Sequence, residues 1–113
     1  MLNLNATPQV KIEHEETGTS YLIRPILPRD NQKLMKQARD KKGDLDYVAF
    51  NGLLVAFAVI EWWGVGGPDG SLPPSDDNKK ALGEKFPPIS NFINAKATDI
   101  KLFVDEVEEA KND

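Results

Sequence analysis

The chain has no cysteine, one histidine and only nine aromatic rings of the Phe, Trp and Tyr types among its 113 residues. Without thiols it has no cysteine nucleophile, no zinc–thiolate site and no iron–sulfur cluster, and it suits a reducing compartment. His14 stands alone, followed by Glu15 and Glu16. Neither an HExxH helix nor any two-histidine metal site can then be built within one chain. The opening MLNLNATPQV carries no basic cluster and no apolar core; it is not a secretory signal, and a cytoplasmic protein is expected. A long apolar run is missing too. Tyr47–Trp63 is the best candidate, but it falls short of the roughly 20 residues of a membrane span and is broken by Asn51-Gly52 and Glu61. No excess of positive charge is present either: the net charge is −4, which argues against a dedicated nucleic-acid binder.

What remains reads as a single domain over residues 1–113, with 1–8 expected to be disordered. Charge is unevenly spread, with +4 in residues 28–42 and −4 in 43–74. Val10, Ile12 and His14 alternate with Lys11, Glu13 and Glu15, and after Thr17-Gly18-Thr19 comes Tyr21-Leu22-Ile23-Arg24. That pattern predicts a β-hairpin, which must lay its apolar side on helices to be stable. Pro28–Lys42 reads as a helix with Pro at its start, Gly43 just beyond it, and Lys33, Lys36 and Arg39 on its basic face.

Asp44 and Asp46 offer caps for the next element, Tyr47–Trp63, which is apolar at all but three positions. Tyr47, Phe50, Leu54 and Phe57 fit helical spacing; a helix apolar on nearly every side must be buried on nearly every side. Leu53–Ile60 has no polar residue to set a period, so a buried strand in the second half is the rival reading. Gly64–Pro74, rich in Gly and Pro, reads as a surface loop. Ser75 then caps a short helix that Gly83 would close. From Pro87 onward Ile89, Phe92, Ile93, Ala97, Ile100, Phe103, Val104 and Val107 keep spacings of three and four. They predict one amphipathic helix of about 22–24 residues, near 35 Å long. That exceeds a small domain, so the far stripe of Ile100, Phe103, Val104 and Val107 is expected to overhang as a surface for another copy or another protein. The expected fold is α+β and mainly α: an N-terminal hairpin followed by about four helices, one central and buried, one long and C-terminal.

Reactive constellations fail one by one. A dinucleotide fingerprint starting at Gly64 would need glycine where Asp69 stands, and Gly70-Ser71-Leu72 lacks the lysine of a P-loop. Asp44 and Asp46 lack calcium-loop spacing. Asp76 and Asp77 are adjacent, so on a helix they diverge by about 100° and share no substrate. The basic face at 29–42 has no interleaved aromatics for base stacking. No cofactor, metal or catalytic residue is expected, and an enzyme would need a ligand site lined by Asn51, Glu61 and the tryptophans. Of Trp62 and Trp63, one should face the core and the other cover it or stand exposed as a partner anchor.

Trp62-Trp63-Gly64-Val65, then Gly70-Ser71-Leu72-Pro73, then Ser75-Asp76-Asp77-Asn78-Lys79 with Leu82, resemble in order and spacing the tail assembly chaperones of long-tailed bacteriophages and prophages. Gly18–Pro25 resembles the family's first strand, so the likeness spans roughly residues 17–100. It implies a non-enzymatic protein of the bacterial host cytoplasm that holds the tape measure protein, and in some cases tail-tube subunits, until the tail assembles. Trp62 or Trp63, the stripe Ile100, Phe103, Val104 and Val107, and the cations Lys33, Lys36 and Arg39 would form the partner surface. A homo-oligomer is compatible with the same stripe. A different class, a tail-completion or other structural part of the virion, would be retained in the particle.

Overall fold

The computed structural model describes residues 7–104. The predicted hairpin is present as β1 (Val10–His14) and β2 (Thr19–Ile23), antiparallel with Ile12 opposite Tyr21. The turn closes through a Gly18 N–H donated to the Glu15 carbonyl at 3.2 Å, and Gly18 takes a φ of 66°, which a residue with a Cβ resists. Val10, Ile12, Tyr21 and Ile23 face inward.

β2 gains a second partner that the hairpin reading did not contain. Tyr47–Trp63 is not one helix: α2 (Tyr47–Ala58) passes directly into β3 (Val59–Trp63), which completes a sheet of order β1-β2-β3. The rival strand reading therefore holds for the last five residues. β-branched Val59 and Ile60 and the two indoles suit a pleated surface better than a crowded helix. An irregularity opposite Leu22/Ile23 leaves Ile60 as the extra residue, so that Val59 and Trp62, three apart, are both buried. Nor is α2 buried all round, for Tyr47 and Val48 in its first turn are 71% and 56% exposed.

α1 (Pro28–Gln37) starts at Leu27, whose N–H is held by Asp30 Oδ2 at 3.0 Å. It ends before the expected Lys42. The Asp40 carboxylate accepts the N–H groups of Lys42 (2.8 Å) and Asp44 (3.0 Å), a local bonding pattern that competes with the helix ladder. Gly43, at φ 85°, lies inside this turn and does not end the helix. Asp46 then caps α2, its Oδ1 accepting from Val48 N at 3.0 Å and Ala49 N at 3.2 Å, as its position predicted.

The reading of 64–74 as an unpaired loop is corrected by a miniature antiparallel pair, β4 (Gly66–Gly67) with β5 (Gly70–Ser71), turning at Pro68-Asp69. Ser75 Oγ accepts from Asn78 N at 3.2 Å and opens α3 (Asp76–Lys85). Gly83 does not close that helix. It is buried where α3 crosses α2, and a Cβ there would collide with the Asn51 carbonyl oxygen and stand 2.9 Å from Gly52 Cα. Two glycines thus let two helix backbones approach more closely than any side chain would allow.

α4 (Pro87–Ala97) is half the predicted length. Thr98 Oγ1 caps it by donating to the Asn94 carbonyl at 2.7 Å, and helix resumes over residues 100–104 after the break at Asp99. The result is a compact α+β fold. Its sheet face packs on α2 and α4 around Tyr21, Ile23, Leu54, Val55, Val59, Ile89 and Ile93. The segment after β2 ties both helices in: Arg24 N–H donates to the Ala58 carbonyl and Ile26 N–H to the Ala97 carbonyl, each at 2.9 Å. These bonds satisfy carbonyls that the helix ends leave open. Of the residues expected to be disordered, 1–6 lie outside the described residues, and Thr7 and Pro8 have no regular structure.

Candidate functional site

The three segments on which the phage-protein resemblance rests are joined by hydrogen bonds. Trp62 is buried, and its indole Nε1–H donates to the Leu72 carbonyl at 2.9 Å. Asn78 Nδ2 donates to the Pro73 carbonyl at 2.9 Å while its backbone N–H is held by Ser75 Oγ. The indole therefore pins the far limb of the β4–β5 hairpin, and Asn78 pins the start of α3 to the same limb. Trp62 is the tryptophan that faces the core. Trp63 points the other way, 43% exposed on the outer sheet face, with Lys11 Nζ 4.5 Å from its ring centre.

The remaining candidate residues do not form one surface. Phe103 is 3% exposed and part of the core cluster, whereas Ile100 is 52% exposed and Val104 half-buried. The break at Thr98-Asp99 turns the final segment back onto the domain, so a continuous overhanging stripe is not what the described residues show. Val107 lies outside them. On α1, Lys33 and Lys36 are exposed, and Lys33 borders a depression of about 320 Å³ with Leu34, Leu53, Phe57, Asp76 and Lys80, where charges of both signs meet. Arg39 braces the turn after α1, its Nη1 donating to the Gly43 carbonyl at 2.8 Å. Asn51 accepts from Ser90 Oγ at 3.1 Å, and Glu61 is exposed on β3.

A different arrangement appears beside the β4–β5 hairpin. A depression of about 300 Å³ is lined by Val65, Gly67, Leu72, Ala81 and Lys85, and one of about 190 Å³ by Thr17, Thr19, Tyr21 and Ile89. Val65, Gly66, Leu82 and Phe86 border both depressions. The Phe86 ring, at the corner between α3 and α4, is 56% exposed. Lys85 is the single charged residue in either lining.

At the inner end three hydroxyls follow one another. His14 Nδ1 lies 2.7 Å from Thr17 Oγ1, and Thr17 Oγ1 lies 2.8 Å from Thr19 Oγ1. Beyond them the Tyr21 hydroxyl is fully buried beside Thr19, without a well-formed hydrogen bond. Burial pushes its pKa above 10.0, an effect that the Thr19 hydroxyl only partly offsets. The phenol is therefore held neutral, as a donor.

No family model matches the chain, and neither a curated protein nor a solved structure is significantly similar to it.

These depressions were not visible in the sequence. Tyr21 reads there as one more inward strand residue, and Phe86 as part of a junction. The available signal was Phe86-Pro87-Pro88, an aromatic residue fixed between a helix end and two prolines. Among the described residues no group of three or more His, Cys, Asp or Glu is placed to hold a metal ion, and no helix is long and apolar enough to cross a membrane.

Proposed function

We propose that the protein is a non-enzymatic tail assembly chaperone of a phage or prophage, which binds the tape measure protein in the host cytoplasm before the tail tube forms. The observation that supports this reading is the hydrogen-bonded unit of Trp62, Leu72, Pro73, Ser75 and Asn78. The segments that carry the resemblance are separate in sequence yet interlock through the same residues. Generic turn and cap residues acting independently would give no reason for Trp62, ten positions before Leu72, to belong to the pattern.

Physical need supports it as well. A long tail protein built of amphipathic helices self-associates until its apolar stripes are covered, and a small folded domain with exposed apolar depressions is suited to cover them. Co-expression with a phage tape measure protein tests the proposal. Co-purification and a larger soluble fraction of that protein are expected, together with absence of this chain from purified virions. Failure to co-purify would count against a chaperone. Retention in the particle would favour the virion-component class.

A further inference from the structure

We infer that the protein forms a two-fold dimer in which β1 of one copy pairs, antiparallel, with β1 of a second copy, joining two three-stranded sheets into one. β1 is an end strand of the sheet order β1-β2-β3. An end strand offers unpaired N–H and C=O groups that another strand can complete. Which residues offer them follows from β2. The Arg24 N–H donates to the Ala58 carbonyl, on the β3 side of the sheet. Main-chain direction alternates along a strand, so Ser20 and Leu22 bond toward β3, while Thr19, Tyr21 and Ile23 bond toward β1. Their partners there are His14, Ile12 and Val10. Lys11 and Glu13 therefore turn their main-chain groups away from the sheet, and among the described residues no backbone hydrogen bond reaches them on that side.

This arrangement selects both the occupant and its register. Facing Lys11 with Lys11 of a second copy, or Glu13 with Glu13, sets like charges directly opposite, which is destabilising. Facing Lys11 with Glu13 of the second copy sets opposite charges together, and the two-fold axis repeats the contact. Each such pair exchanges both N–H···O=C bonds, and the axis passes beside Ile12. The strand is thus its own complement in charge and in hydrogen bonding. Both charged side chains are exposed on the outer sheet face, where Lys11 already leans over Trp63. On the inner face the same register sets Val10 of one copy opposite His14 of the other, next to the half-buried Phe92 ring, 4.8 Å from the His14 ring. The opposite edge lacks this property. β3 paired with its own copy about its middle residue would bring two Glu61 carboxylates face to face.

Sedimentation velocity of the full chain from micromolar to millimolar concentration should show monomer and dimer in exchange. Lys11→Glu and Glu13→Lys each create two like-charge pairs, and each should weaken the dimer about tenfold. Both replace exposed side chains, and a circular dichroism spectrum matching wild type checks the fold. Mixed together, the two variants regain opposite charges at both positions, so a heterodimer close to wild-type strength is expected. The double exchange, Lys11→Glu with Glu13→Lys, should restore the dimer within a single chain. In nitrogen-15 spectra of the wild-type protein, the Lys11 and Glu13 amides should exchange more slowly as concentration rises.

A chain that stays monomeric throughout would overturn the proposal. So would a dimer that either single variant leaves intact, or a mixture of the two that fails to pair. Unchanged exchange of the Lys11 and Glu13 amides where the dimer predominates would overturn it without any variant.

Discussion

The two sides of α3 are built to opposite specifications. Toward α2, Gly83 and Gly52 bring the backbones together, and a Cβ on Gly83 would collide with main-chain atoms of Asn51 and Gly52. On the other side Ala81, Leu82 and Lys85 border open space beside the β4–β5 hairpin. The close backbone contact sets where α3 sits on α2, and with it the position of the residues on the open side. A binding face on a loosely packed helix would have to be ordered at the moment of binding, and that ordering would weaken the complex.

Substitutions on either side sharpen or break this division. Phe103→Ala should have the largest effect, about 3–5 kcal/mol in urea denaturation, because Phe103 is buried in the hydrophobic core cluster. A cost below about 1 kcal/mol would mean that the final helical segment does not belong to the core. Gly83→Ala should follow at roughly 3 kcal/mol, the upper range for overpacking, since the atoms it meets are backbone and cannot swing aside. Gly52→Ala meets Glu84 Cγ at 2.9 Å and the Lys80 carbonyl at 3.0 Å. Part of that contact is a flexible side chain, and Ala regains roughly 1 kcal/mol of helix propensity, so a loss of only about 1 kcal/mol is expected.

Alkaline pH probes the buried phenol of the sheet. The Tyr21 phenol has its pKa raised by burial above the unfolded value of 10.0. The native state therefore holds its proton more tightly than the unfolded state, and stability is lost as pH rises past 10.0 toward the folded value. Tyr21→Phe should flatten that fall; an unchanged pH profile would mean the hydroxyl is not buried in solution. The smallest effects belong to Phe86→Ala and Ile100→Ala, each within about 0.5 kcal/mol of wild type because both side chains are more than half exposed.

Local chemistry made part of this fold legible in the sequence. The hairpin followed from strict alternation around Thr17-Gly18-Thr19, and the caps Asp46 and Ser75 from side chains that bond the next turn. Readings failed where one signal serves two structures. Leu53–Ile60 has no polar residue, so the passage from α2 to β3 left no mark in its pattern. Gly83 reads as a helix stop because glycine often is one, yet its role depends on Asn51 and Gly52, some thirty residues away. The spacing of Ile89 to Val107 continues across Thr98-Asp99 as though the helix did. Only the third dimension shows Phe103 folded back into the core and Ile100 left outside. The two depressions beside the β4–β5 hairpin were the least legible part, since Tyr21, Val65 and the pair Leu82 and Phe86 come from three separate places in the chain.

Hydrogen–deuterium exchange on the protein alone and mixed with a phage tape measure protein, the proposed client, is the most direct test of the account. Slowed exchange on binding is predicted at 65–67 and 82–86, with α1 and residues 100–104 unchanged. Protection confined to α1 or to 100–104, with the β4–β5 hairpin and the end of α3 exchanging as in the free protein, would contradict it.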